Sequence, residues 1–199
     1  GTTGTPKCYV ISQYNNSTLG AFAATLDLSQ RDVVLSVFPM YGRVGFAWIG
    51  FSIMYGIRNV LLNFEPEAAL RLIEEERVTI TNLVPTMAAM LIAAPALPRY
   101  DLSSLRALVF AGSLLAAPIR HAVQAKLCPH LYEYYGMQET GALVVSTPED
   151  RSEFPESVGR PFLFSEVRVI GPDGRSVPIG ETGEIIGRSP GSVTQYHDN

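Results

Sequence analysis

Val78-Thr79-Ile80-Thr81-Asn82-Leu83-Val84-Pro85-Thr86-Met87-Ala88-Ala89-Met90-Leu91-Ile92-Ala93-Ala94 decides the fold class. Its first seven residues are β-branched or apolar apart from Asn82, as in a strand buried on both faces. Pro85 then supplies a φ suited to a first helical turn, and the alanine, methionine and leucine that follow are strong helix formers. A strand runs directly into a helix. Outward from this unit the alternation repeats in both directions. Upstream, residues 17–28 place Leu19, Phe22, Ala23 and Leu26 on one helical face, and residues 33–38 form a continuous apolar run stopped by Pro39. Residues 48–55 read as a helix, 59–62 as a short strand and 66–76 as a helix opened by Pro66. Downstream, 105–110 is an apolar strand, 118–127 a helix and 131–134 a further strand. This alternation predicts an α/β fold: a doubly wound, mainly parallel sheet with helices on both faces. From about Asp150 the texture becomes that of a hairpin and meander without a helix, with strands at 167–170 and 184–188 and a Gly171-Pro172-Asp173-Gly174 turn. Two units are expected, an α/β subdomain over 1–149 and a partial β-rich subdomain over 150–199.

Composition narrows the function classes. The chain has 199 residues, 47% hydrophobic and 17% charged, enough to bury a sizeable core. A net charge of -4 with scattered basic residues gives no footprint for nucleic acid. Cys8 and Cys128 form no CxxC pair, so a disulfide framework or structural zinc has no support, and a reducing, cytoplasmic setting is expected. The apolar stretch 46–57 is too short to span a bilayer and is broken by glycines, so no transmembrane segment is expected. The opening Gly1-Thr2-Thr3-Gly4-Thr5-Pro6-Lys7, without an initiator methionine, reads as that of an excised piece.

Three segments carry possible chemistry. Residues 1–7 offer backbone N–H groups, hydroxyl donors and a lysine cation, the donor set a polyphosphate needs, although Pro6 before Lys7 departs from the GK[ST] phosphate loop and a plain surface turn has the same composition. Tyr134-Tyr135-Gly136-Met137-Gln138-Glu139-Thr140-Gly141 lies just after an expected strand, where sites on parallel sheets form. Tyr135 can stack on a base, Gln138 can donate to a phosphate, and Glu139 can give an oxygen to magnesium, which needs only one or two carboxylates beside substrate oxygens. A capped turn with a core tyrosine explains the same residues. Ala111-Gly112-Ser113-Leu114-Leu115 supplies small residues that let backbone approach a flat ligand, or simply a tight strand-to-helix turn. His121, His130 and His197 have no ligand spacing.

Taken in order, these segments resemble the superfamily of acyl- and aryl-CoA synthetases, nonribosomal peptide adenylation domains and luciferases. Residues 1–7 are similar to the later part of its SGTTGxPKG phosphate loop, 101–115 to its DLSSLR to GGAPL stretch, and 135–139 to YGxTE. Ser157-Val158-Gly159-Arg160-Pro161 and residues 180–199 resemble its closing GRP and GEIxxRGP segments. The resemblance implies adenylation of a small-molecule carboxylic acid by ATP, with release of pyrophosphate, followed by transfer to coenzyme A. It implies that Thr2, Thr3, Gly4 and Lys7 hold the leaving phosphates, Glu139 holds Mg2+, and Tyr135 with Gly136 packs on adenine. Gly112, Ser113 and Leu114 would shape the adenine edge and acyl floor, Gln138 would face the α-phosphate, and Phe38, Tyr41, Gly42 and Phe46 are candidates for the acyl pocket. Fatty, aromatic and alicyclic acids all stay open as substrates. Gln138 stands where the family has threonine, Cys8 where it has glycine and Gly42 where histidine is common. These departures favour, as the competing reading, a noncatalytic nucleotide-binding or scaffold relative. The family's TGD segment and its mobile C-terminal domain with the adenylation lysine have no counterpart in these residues, so the isolated chain is expected to be inactive. Oligomeric state is unreadable.

Overall fold

A computed structural model of the chain describes residues 7–197. In chain order it contains α1 (Gln13–Asn16), α2 (Thr18–Thr25), β1 (Val33–Ser36), α3 (Arg43–Tyr55), β2 (Arg58–Leu61), α4 (Pro66–Glu75), β3 (Ile80–Leu83), α5 (Pro85–Ala93), β4 (Ala107–Phe110), α6 (Ala117–Lys126), β5 (Leu131–Met137), β6 (Gly141–Ser146), α7 (Pro148–Glu153), β7 (Arg160–Pro161), β8 (Glu166–Ile170) and β9 (Glu184–Arg188). Seven strands form one sheet in the order β2-β1-β3-β4-β5-β6-β7. The pairs β2–β1, β1–β3, β3–β4 and β4–β5 are parallel, and β6 and β7 add antiparallel at one edge. The expected mainly parallel, doubly wound sheet is present.

Period-2 alternation along the strands divides the core. Leu35, Leu83, Leu108, Phe110 and Leu131 face one side, where Ala69, Leu70 and Ile73 of α4, Ala88 and Leu91 of α5 and Val123 of α6 cover them. Val34, Ile80, Ala107, Val109 and Tyr134 face the other, beneath Leu19 and Ala21 of α2 and Trp48 and Phe51 of α3. Both faces carry a core because helices cover each side of the sheet. Helix α4 shows the local logic: Glu65 caps it by accepting from the backbone N–H of Glu67 and Ala68, Pro66 opens it, and its apolar residues fall on one stripe.

Three local features extend the sequence reading. Helix α3 begins at Arg43, five residues before the expected start, because Gly45 lets it pass over Pro39: a Cβ there would lie 2.3 Å from the Pro39 carbonyl oxygen. Strand β5 continues to Met137 and turns into β6, so Tyr135 and Gly136 lie within the strand, at a bulge. A helix, α7, stands where none is expected. Thr147 caps it by accepting from the Asp150 N–H while the Asp150 side chain returns to Thr147, a capping box legible in Thr147-Pro148-Glu149-Asp150. The hairpin β8–β9 forms a separate two-stranded antiparallel sheet. Among the described residues no helix is long and apolar enough to cross a membrane.

Candidate active site

Strand β1 leads through α3 to β2 at its outer side, whereas β3 returns to its inner side, so the chain reverses its winding between β1 and β3. Loops after the parallel strands diverge at such a point and leave a crevice. The crevice here opens into a cavity of about 350 Å³ between α2, α3 and the sheet. Phe22, Trp48, Phe51, Val109 and Tyr134 line it. Phe22 and Tyr134 pack at 4.7 Å between ring centroids, and Trp48 meets Phe51 edge-on at 5.3 Å. One polar side chain in this apolar wall, Asn82, donates to the Val109 carbonyl at 2.8 Å and accepts from Trp48 Nε1 at 3.4 Å. The wall is mainly apolar: the Asn82 amide is satisfied, while the buried Tyr134 hydroxyl has no hydrogen-bond partner among the described residues.

The rim is polar. Arg43, at the first turn of α3, donates from Nη1 to the Gln138 carbonyl (3.0 Å) and from Nη2 to the Gly191 carbonyl (2.8 Å). Its backbone N–H donates to Gln138 Oε1 at 3.1 Å, and the Tyr9 hydroxyl donates to the same oxygen at 3.3 Å. Glu139 Oε1 accepts from the Tyr196 hydroxyl at 2.7 Å, and this hydrogen bond first, with Lys7 among the smaller causes, holds the carboxyl below its ordinary range. The Lys7 ammonium sits 5.0 Å from the centre of the Tyr196 ring. Tyr9 and Tyr196 form a backbone bridge, so the two ends of the described chain meet beside Glu139.

Of the residues singled out by sequence, Tyr135, which is exposed, and Gly136 lie in the last part of β5, and Gln138 and Glu139 occupy the β5–β6 turn that follows at this rim. Gly136 is required there, since a Cβ would lie 1.9 Å from the Gly141 carbonyl oxygen. Gly112, at φ +89°, lies at the cavity mouth, and Ser113 and Leu114 are exposed beside it. Lys7 reaches the rim, whereas Thr2, Thr3 and Gly4 lie outside the described residues. The four candidates after β1 separate. Phe46 lines the cavity; Phe38 packs against the core on the opposite face of the sheet; Tyr41 is 95% exposed; and Gly42 is the N-cap of α3. Sequence reading passed over Arg43, Tyr9, Tyr196, Phe22, Trp48 and Asn82. Asn82, a lone amide in the apolar run 78–84, was a usable signal; the Tyr9–Tyr196 pairing, nearly the whole chain apart, left none.

Magnesium fits this rim. Glu139 has one oxygen held by Tyr196 and a second to offer, the single carboxylate oxygen that such an ion takes beside phosphate oxygens.

The profile of the family described as AMP-binding enzyme matches residues 1–197. An indoleacetate–CoA ligase of Aromatoleum aromaticum is 32% identical over 98% of this chain and 39% of its own length. A feruloyl-CoA synthase of an Amycolatopsis species is 31% identical over 98% of this chain and 40% of its own length. Among solved structures, an O-succinylbenzoate coenzyme A synthetase from Bacillus subtilis, in complex with ATP and magnesium ion, superposes with a TM-score of 0.88 at 27% identity, covering 100% of this chain and 42% of that one. The chain thus spans about two-fifths of the length of these relatives.

Proposed function

The chain belongs to the AMP-binding enzyme family of adenylating enzymes, and from that premise we propose that the whole protein carrying it is an acid–thiol ligase that activates an aryl carboxylic acid with ATP and passes it to coenzyme A. The observation that carries this reading is the junction of an aromatic-walled cavity with a polar rim at the winding reversal of the sheet. The two surfaces suit the two halves of an acyl-adenylate. At about 350 Å³ the cavity stands at the low end of small-molecule pockets, roughly 300–1,000 Å³. Phe22, Trp48, Phe51 and Tyr134 suit a compact ring better than a long flexible chain. Relatives named for indoleacetate and ferulate support the same class.

In this reading the acid's carboxylate oxygen attacks the α-phosphorus of ATP and the bond to pyrophosphate breaks; the thiolate of coenzyme A then attacks the acyl carbon and AMP leaves. Charge builds on phosphate oxygens in the first step, so Lys7 with Thr2, Thr3 and Gly4 acts as the donor set for the leaving phosphates. Tyr135 and Gly136 pack on adenine, while Gly112, Ser113 and Leu114 border it. Gln138, its Oε1 engaged by Tyr9 and Arg43, turns its amide N–H donors to the α-phosphate. Glu139 would hold a magnesium ion, whose chemistry there is to neutralise charge on phosphate oxygens. Phe46 closes the acyl cavity at its outer end.

Pyrophosphate release by the whole protein, assayed over a panel of aryl and fatty acids, tests the proposal. Aryl acids are expected to drive release, and Glu139→Ala to lower kcat/KM by about 100-fold or more. Preference for palmitate would overturn the substrate class; absence of acid-dependent release would overturn the ligase.

A further inference from the structure

Glu133 lies on β5 one residue before Tyr134, and its side chain points to the face away from the acyl cavity, where it is 5% exposed. Its Oε1 accepts the backbone N–H of Leu115 at 3.1 Å, at the end of the loop formed by Gly112, Ser113 and Leu114. Its Oε2 accepts from Arg151 Nη2. Arg151, on α7 and 7% exposed, donates from Nη1 to the carbonyls of Pro155 (3.0 Å) and Ser157 (3.1 Å). A chain of hydrogen bonds therefore runs from the segment before β7, through a buried ion pair, to the loop at the mouth of the site.

A buried carboxylate–guanidinium pair is a poor way to gain stability, because desolvating both charges offsets most of their attraction; its return lies in geometry. The geometry here is specific. Leu115 is 1% exposed and seated in the core, whereas the three residues before it are exposed and Gly112 takes a left-handed φ of +89°. The loop is thus hinged at glycine and tied at its far end to a carboxylate. The carboxylate is itself aligned by Arg151, whose planar fork is gripped by two backbone carbonyls.

We propose that Glu133 and Arg151 are positioning residues for nucleotide selection, holding the Gly112, Ser113 and Leu114 backbone where it borders the adenine of ATP. The proposal rests on the adenylating reading above. Neither side chain touches nucleotide; both act through the Leu115 N–H.

The test is steady-state kinetics of Glu133→Leu, Arg151→Met and Arg151→Lys in the whole protein, with ATP and GTP as alternative nucleotides. Glu133→Leu, which removes the acceptor, and Arg151→Met, which releases its alignment, are expected to raise KM for ATP by about five- to tenfold, the equivalent of one lost hydrogen bond. They should also narrow the preference for ATP over GTP and leave KM for the acid within about twofold. Arg151→Lys, which keeps the charge but not the fork, should restore part of the loss. A purely structural role would lower the active fraction, and so kcat, without moving KM for ATP or nucleotide preference, and that result overturns the proposal. Hydrogen exchange at the Leu115 amide supplies a reading independent of turnover: it should be slow in the wild type and fast in Glu133→Leu, and equal rates overturn the proposal. A wild-type protein that releases no pyrophosphate with any acid refutes the adenylating reading; an active wild type with unaffected variants refutes only the positioning role.

Discussion

Tyr196 shows how one hydroxyl sets the state of a distant carboxylate. Its hydrogen bond to Glu139 is the leading cause that holds the carboxyl below the ordinary glutamate range. A group depressed in this way is a carboxylate above that range and loses the associated stabilisation as pH falls through its folded value. Tyr196→Phe removes the donor, so the Glu139 carboxyl should titrate at higher pH, nearer the ordinary value of about 4.3. A carbon-13 NMR titration of that carboxyl reads the shift directly, and an unmoved midpoint would show that Tyr196 does not set it. Residue-scale legibility was uneven. That Gln138 and Glu139 stand together was legible, because motif residues adjacent in sequence stay adjacent in the β5–β6 turn. The Tyr196 hydroxyl was not, since nothing local in residues 180–199 indicates that the chain returns to Glu139. Phe38 makes the complementary case: it lies past the end of β1 and packs, like Val37 beside it, against the core on the face of the sheet away from the cavity, a placement no local signal gives.

Single groups also brace whole elements. Asp32, just before β1, accepts from Arg106 Nε (2.6 Å) and Nη2 (3.0 Å), from the Thr79 hydroxyl (2.7 Å) and from the Ser29 N–H (2.9 Å), tying together the entries to β1, β3 and β4. Burial alone would raise its pKa, but these hydrogen bonds outweigh burial and hold the carboxyl below the ordinary range. The folded-state value is depressed, so the stabilisation is present above the unfolded value of about 3.9 and lost as pH falls through the folded one. Asp32→Asn should cost about 2 kcal/mol at pH 7. The Arg106 side chain is 35% exposed, which keeps the loss below the roughly 3–5 kcal/mol of a fully buried pair. Thermal unfolding should show a Tm lower by about 4–8 °C at neutral pH, with the gap closing in acid; a constant gap would deny the carboxylate its role. Elements as such were legible. Residues 78–84 and 85–94 contain the observed β3 and α5 because β-branched and proline signals are local. The start of α3 was hidden because Gly45 serves a close approach to Pro39, a tertiary requirement that overrides helix propensity.

Arg43 acts across the molecule. It joins α3, the β5–β6 turn and the segment at Gly191, three regions separated by 95 and 148 residues in sequence. Arg43→Met should destabilise the chain by about 2 kcal/mol and speed hydrogen exchange at Val193, whose N–H donates to the Glu139 carbonyl at 2.8 Å. Unchanged exchange there would show that the closing segment is held without Arg43. Sequence by itself determined the alternation of strands and helices from α2 to β5 and the parallel sheet it implies, because hydrophobic period and proline placement are written in neighbouring residues. Tertiary structure alone decided which side of the sheet each aromatic faces, how Tyr9, Arg43 and Tyr196 converge on Gln138 and Glu139, and that Glu133 reaches Leu115. Those contacts arise when strand register and winding order bring distant segments within hydrogen-bond reach, and a one-residue slip in either would dissolve them without altering any local signal.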